Sequence, residues 1–321
     1  MAANIDEGRF VEVGGLQQWV TLRGRDAANP ALMIVTGPGA AFSMMAPLFE
    51  PWEQAFTLVQ WDQPGAGATL ARSGGAAPQP LSFERLARDG LAVAAWSCGR
   101  LGLPSLGVFA ISAGTVTGLG MAKARPGLIG AYVGNGQIVD WARQEAESYR
   151  MILARARASG DMAAAAEIEG VGPPPWSDVQ GDIVKGRHAN APTPAEQAAM
   201  DPGLMARIRR PPADAAWVAR GLPEIDPYAA SLAAYATLKP ELAGFRARDL
   251  GLRFDVPMIF LQGAQDAHTP ASEVRAYAAE IAAPKVVYEE IEEGGHMSTF
   301  LTRRLLDLLV REVRPLLARS A

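Results

Sequence analysis

The sequence predicts an α/β protein, a mostly parallel central sheet flanked by helices and interrupted by an inserted helical segment. Three observations carry this. Short apolar runs such as Ala31-Leu-Met-Ile-Val35 and Val256-Pro-Met-Ile-Phe-Leu261 recur along the chain, as strands buried on both faces require. Stretches with helical periodicity separate them. From Gly136 to Gly251 the apolar runs stop, and Ala-rich helical segments take over, punctuated by Pro173-Pro-Pro175, Pro192-Thr-Pro194 and Pro211-Pro212.

In order, Phe10–Val13 and Leu16–Leu22 read as an opening hairpin turned by Gly14-Gly15. Ala31–Val35 runs into the tight loop Thr36-Gly-Pro-Gly-Ala40. The strand Phe56–Trp61 ends in Asp62-Gln-Pro-Gly-Ala-Gly67. Ser82 is placed to cap a helix reaching about Cys98, with Phe83, Leu86, Ala87, Leu91 and Ala94 on its apolar face. A strand then leads into Ser112, and Ile129–Val133 follows. After the insertion, strands Val256–Leu261 and Lys285–Glu289 resume the sheet, with helices over Ala271–Ile281 and Thr299–Leu317. The expected division is a core domain of residues 1–135 and 252–321, with a helical cap over 136–251.

The 321 residues are 49% hydrophobic, enough for a large core. The net charge of −4 and the lack of a basic stripe argue against a nucleic-acid partner. Cys98 is the sole cysteine, so an intramolecular disulfide and a cysteine-built metal site are excluded. On sequence Cys98 reads as a small buried residue rather than a nucleophile. The start of the chain lacks a basic stretch followed by an apolar one, and no apolar run reaches the ~20 residues of a membrane span. The expectation is a cytoplasmic protein without a membrane partner.

The chemistry centres on Ser105-Leu-Gly-Val-Phe-Ala-Ile-Ser112-Ala-Gly-Thr-Val-Thr-Gly-Leu-Gly. An apolar strand meets a small-residue helix start, and Ser112 sits at the junction between Ala110 and Gly114. A nucleophile elbow demands this, because the sharp turn crowds strand against helix. A serine hydroxyl needs a base. Of His188, His268 and His296, only His296 follows the last strand, in Glu293-Gly-Gly-His296, at the strand end where α/β sheets place ligands. Asp266, after the Val256 strand, is the acid expected to orient His296. Asp140 is the runner-up, and Asp62 reads as a turn builder. The chain order Ser112, Asp266, His296 is that of the α/β-hydrolase fold. In that architecture the oxyanion donors are the N–H groups of Ala113 and of Gly37, with Thr36 as the fallback.

With these motifs in place the chain resembles the proline iminopeptidase branch of the α/β-hydrolases. Val35-Thr-Gly-Pro-Gly39 is similar to that branch's His-Gly-Gly-Pro-Gly loop, and Trp61-Asp-Gln-Pro-Gly-Ala-Gly67 to its Trp-Asp-Gln-Arg-Gly-x-Gly segment. Ser112, Asp266 and Gly294-Gly-His296 fall on its nucleophile, acid and base. Valine replaces the loop histidine, threonine its first glycine, and alanine the first glycine of the elbow. The resemblance implies a serine hydrolase, commonly one releasing an N-terminal proline, with no cofactor and no metal.

Family iminopeptidases hold the substrate amine on cap carboxylates. On the expected helix Trp141–Ala158, Trp141, Tyr149, Ile152 and Ala156 share one face, with Glu145 in its middle. Glu145 is therefore the candidate for a substrate amine, and an internal ion pair, with Arg155 for example, is the alternative. Trp141, Tyr149, Trp176 and Trp217 are candidates for the pocket wall. The expected reaction is acyl transfer on a small amide or short peptide, aminopeptidase-like. A small-ester esterase or lactonase, and an inert ligand-binding protein, stay open as alternatives. So does the oligomeric state.

Overall fold

The computed structural model describes residues 4–75, 81–176, 179–209, 221–222 and 225–317. Its strands are β1 (Ile5–Val13), β2 (Leu16–Gly24), β3 (Ala31–Val35), β4 (Thr57–Asp62), β5 (Leu106–Ile111), β6 (Ile129–Asn135), β7 (Met258–Gly263) and β8 (Val286–Ile291). They form one eight-stranded sheet in the order β1-β2-β4-β3-β5-β6-β7-β8. β1 pairs antiparallel with β2, and β2 with β4; every later pairing is parallel. The β1–β2 turn places Gly14 and Gly15 at φ +59° and +78°, the two left-handed positions that a tight hairpin needs.

The helices are α1 (Ala46–Phe49), α2 (Gly67–Arg72), α3 (Phe83–Leu101), α4 (Gly114–Ala124), α5 (Trp141–Ala158), α6 (Met162–Val171) and α7 (Val179–Ala189). They continue with α8 (Pro194–Ala199), α9 (Pro202–Arg209), α10 (Pro227–Gly244), α11 (Ala271–Glu280), α12 (Thr302–Glu312) and α13 (Arg314–Leu317). Ser82 caps α3 as expected, its hydroxyl accepting the Arg85 N–H at 3.1 Å. All five residues of β3 and all six of β4 are buried, which explains why β3 reads as an unbroken apolar run; β4 buries Thr57, Gln60 and Asp62 among its apolar residues.

β1 begins at Ile5 rather than Phe10 and β8 runs Val286–Ile291 rather than Lys285–Glu289, and two further differences from the sequence reading fall at prolines. β7 begins at Met258 rather than Val256, because Pro257 has no N–H to give to the ladder. The last helix is divided, α12 ending at Glu312 and α13 resuming at Arg314. Pro315 cannot donate the hydrogen bond that a continuous helix needs there.

Among the described residues, all the helices and strands between β6 and β7 are helical: α5 to α10 and a short 3-10 turn over Ala247–Leu250. α5, α6 and α7 share a small core of Ile152, Ala156, Ile168 and Val184. α10 packs Leu238 and Leu242 against Trp141. The parallel strands bring the segments after β3, β5, β7 and β8 to one edge of the sheet, where the candidate residues lie.

Candidate active site

Ser112 has φ +53°, the one non-glycine residue with positive φ among the described residues. Such a backbone costs about 1–3 kcal/mol and survives only where its surroundings enforce it. The Ser112 N–H donates to the Asn135 carbonyl at 2.9 Å, and the Thr115 hydroxyl donates to the Ser112 carbonyl at 2.6 Å. A Cβ on Gly114 would lie 2.5 Å from the Val35 carbonyl oxygen, so α4 starts hard against the end of β3. The alanine at 110 has its own accommodation. A Cβ on Gly118 would come within 2.8 Å of the Ala110 Cβ, so the helix carries its glycine opposite the strand's alanine.

The three residues expected to meet do so. The Ser112 hydroxyl lies 3.0 Å from His296 Nε2. His296 Nδ1 lies 3.0 Å and 3.2 Å from the two Asp266 carboxylate oxygens. Asp266 is buried and also accepts from the His268 and Thr269 N–H groups, both at 2.8 Å, from the Thr269 hydroxyl at 2.7 Å and from the Gln262 amide at 3.0 Å. Burial alone would raise its pKa. The His296 imidazole and the Thr269 donors outweigh that and hold the carboxyl below its usual value of 3.8.

Gly37 and Ala113 face each other, a Cβ on Gly37 falling 3.7 Å from that of Ala113. Among the described residues no hydrogen bond engages the N–H of either. Thr36, the fallback, is tied into the loop: its carbonyl accepts the Gln63 amide at 2.9 Å. Gly39 rests on α10, since a Cβ there would meet the Ala230 carbonyl oxygen at 2.7 Å.

Asp140 is not beside His296 in any hydrogen bond; it caps α5 by accepting the Arg143 N–H at 3.1 Å. Asp62 builds its turn as expected, accepting from Ser43 and from the Ala68 N–H. His188 pairs with Glu167 at 2.8 Å. Cys98 is buried, which pushes its thiol up to about 11.

Glu145 corrects the expectation of a free carboxylate. It is buried and forms an ion pair with Lys185 of α7, because a carboxylate on the packed face of α5 needs a counter-charge. The partner is not Arg155, whose guanidinium donates to the Gln265 carbonyl. Trp141 packs in the cluster that includes Ala113 and Val116. Tyr149 instead packs on the α5–α6–α7 core. Trp176 covers Gly181 and donates to the Gly172 carbonyl at 2.9 Å. Trp217 lies outside the described residues.

Several residues at the site were not singled out from sequence. Glu196 of α8 is fully buried and accepts the Thr193 N–H at 2.8 Å and the Gly295 N–H at 2.6 Å. Burial raises its carboxyl above the usual range, against the pull of these two donors. The Thr193 hydroxyl adds a bond to the Glu293 carbonyl at 2.7 Å. Thr193-Pro-Ala-Glu196 is a capping box visible in the sequence, but its second use, holding the His296 loop, is not. Asn135 donates its amide to the Leu261 carbonyl and the Ser298 hydroxyl and accepts from Thr299. His268 stacks on His296 with ring centroids 4.3 Å apart. No group of three or more His, Cys, Asp or Glu able to hold a metal occurs among the described residues. Nor is any helix there long and apolar enough to cross a membrane.

The chain has the α/β-hydrolase fold. It is similar over 97% of its length, and 99% of the other chain, to a proline iminopeptidase-related protein from Thermus thermophilus, with a TM-score of 0.64 and 16% identity. It is similar over 98% of its length, and all of the other chain, to a thermophilic esterase from Thermogutta terrifontis, with a TM-score of 0.59 and 16% identity. A probable aminopeptidase of Bacillus subtilis is 25% identical over 173 residues, 53% of this chain. The match spans about half of that relative, 54% of its length. No protein-family model matches the chain.

Proposed function

We propose that the chain is a serine hydrolase that cleaves a small ester or amide by acyl transfer. The observation carrying this is the hydrogen-bonded series Ser112, His296, Asp266 at 3.0 Å per link on a strained elbow. Ser112 Oγ attacks the substrate carbonyl while His296 Nε2 takes its proton. The N–H groups of Gly37 and Ala113 hold the oxyanion, each such donor contributing about 3 kcal/mol. His296 returns the proton to the leaving group, and the acyl group remains on Ser112. Water then attacks, deprotonated by the same imidazole, and the acid departs. Asp266 fixes the tautomer and stabilises the imidazolium. In this reading residues 1–135 and 252–321 form the hydrolase core and 136–251 its cap. The contacts of α8 with the His296 loop and of α10 with Gly39 support that division.

Aminopeptidase-like action is the second reading, favoured by the likeness to the probable aminopeptidase. It needs an anion for the substrate amine, and Glu145 is already paired. A fluorophosphonate should label the protein stoichiometrically, and Ser112→Ala should abolish the label; an unlabelled protein would leave the inert binding protein. Rates on prolyl and alanyl anilides against short-chain aryl esters then decide between the two readings.

A further inference from the structure

The Thr36 carbonyl and the Gly37 N–H belong to one peptide unit. The cis peptide among the described residues is Pro174–Pro175, so this unit is planar and trans, and its carbonyl and N–H point in opposite directions. Whatever fixes the carbonyl therefore aims the N–H. Two groups fix it. The Gln63 side-chain amide donates to the Thr36 carbonyl at 2.9 Å. From another side α4 backs onto it, a Cβ on Gly114 falling 2.6 Å from both its carbon and its oxygen. The strand order brings Gln63 there. β3 and β4 are parallel neighbours with Ile34 beside Gln60, so the segments leaving them run side by side. Asp62 pins the turn by accepting from Ser43 and from the Ala68 N–H, and the Ala66 N–H donates to the Gln63 carbonyl at 2.9 Å. Gln63 is 1% exposed, and its amide oxygen has no partner among the described residues. Turning the amide over would set that oxygen against the Thr36 oxygen, two acceptors face to face, so the donor end faces Thr36. Packing alone would be better served by an apolar side chain of this length, because a buried amide oxygen without a donor costs stability.

We infer that Gln63 is the positioning residue of the oxyanion hole: its bond to the Thr36 carbonyl holds the Thr36–Gly37 peptide with the Gly37 N–H aimed beside that of Ala113. The inference rests on the serine-hydrolase reading and deepens it. As negative charge grows on the substrate oxygen, the Gly37 N–H donates more strongly and the Thr36 oxygen gains charge. A donor on that oxygen is then strengthened in turn, since hydrogen bonds in series polarise one another. The Gln63 amide thus contributes more in the transition state than in the ground state, which is the kind of interaction that raises kcat. Gly114 sets the same peptide against the elbow that carries Ala113, so the positions of both oxyanion donors are referred to one carbonyl.

The test is Gln63→Met, which keeps the length of the side chain and removes the donor. On a short-chain aryl ester kcat should fall about 10- to 100-fold, less than the loss of about 100- to 1,000-fold when an oxyanion donor is removed outright, and KM should hardly move. Inhibition by an aryl trifluoromethyl ketone separates positioning from a merely structural role. Ser112 Oγ adds to the ketone carbon, the C=O electron pair moves onto oxygen and His296 takes the proton, so the adduct puts an oxyanion where the ester would. Its Ki should rise by the same factor by which kcat/KM falls. A folded variant with wild-type kcat, or a fall in kcat with Ki unmoved, overturns this inference alone. Should the variant fail to fold, NMR of the wild type decides. The Gly37 N–H and the Gln63 side-chain amide protons should move downfield together when the ketone binds, and an unmoved Gln63 signal overturns the inference. A wild type that takes no fluorophosphonate overturns the hydrolase reading and this inference with it.

Discussion

The backbone N–H of Gly295 donates to the carboxylate of Glu196 at 2.6 Å, joining the insertion to the loop that carries His296. Glu196→Gln keeps the size but puts an amide N–H where an oxygen accepted. One of the two donors, Thr193 or Gly295, then goes unsatisfied, at about 1–3 kcal/mol of stability. With the imidazole less firmly placed, kcat should fall about 10- to 100-fold and KM should hardly move. Steady-state kinetics with the rate of fluorophosphonate labelling check this. A rise in KM with kcat intact would mean that Glu196 contacts substrate instead.

Asp266→Asn should lower turnover by about four orders of magnitude, because the amide favours the wrong imidazole tautomer. Asp140→Asn should leave turnover near wild type, since asparagine caps a helix about as well as aspartate. The pair of measurements assigns the acid, and the opposite ranking would assign it to Asp140.

Gly118→Ala should destabilise the protein by about 1–3 kcal/mol through overpacking. Its new methyl group would meet the Ala110 Cβ at 2.8 Å and the Tyr132 ring at 2.9 Å. Adding Ala110→Gly should recover part of the loss. Denaturant midpoints of the single and double variants read the coupling, and strict additivity would show that the two positions do not share this space.

His268 should make stability depend on pH. Its folded pKa lies well below the ordinary 6.5, so below that pH the unfolded chain takes up a proton that the folded site refuses. The stability is therefore intact above 6.5 and is lost as pH falls toward the folded value, by up to about 1.4 kcal/mol per pH unit. Asp266 does not contribute in this window, because its carboxyl is held below 3.8. Urea unfolding from about pH 7.5 to 5 should show a shallower decline in His268→Asn than in the wild type. Parallel declines would count against the assignment.

What the sequence disclosed follows from how local each signal is. β3 was legible because burial on both faces leaves an unbroken apolar run. The elbow was legible because its steric demand falls on residues within two positions of Ser112. Glu145 was legible as a carboxylate on a packed face, but its partner Lys185 lies 40 residues away on another helix. Nothing in either helix's periodicity names that pairing. Glu196 read as one half of a helix cap. Its bond to Gly295 spans 99 residues and exists only once the sheet has set the β8 loop beside α8. Pro257 and Pro315 displaced element ends by the loss of a single N–H, which apolar patterning does not register.

Two of the footholds of the insertion on the sheet domain are α8 through Glu196 on Gly295 and α10 through Ala230 on Gly39. Both footholds are backbone groups of the site's own loops. A hinge-like swing of the whole insertion would pull together on the loop that carries His296 and on the loop that carries Gly37.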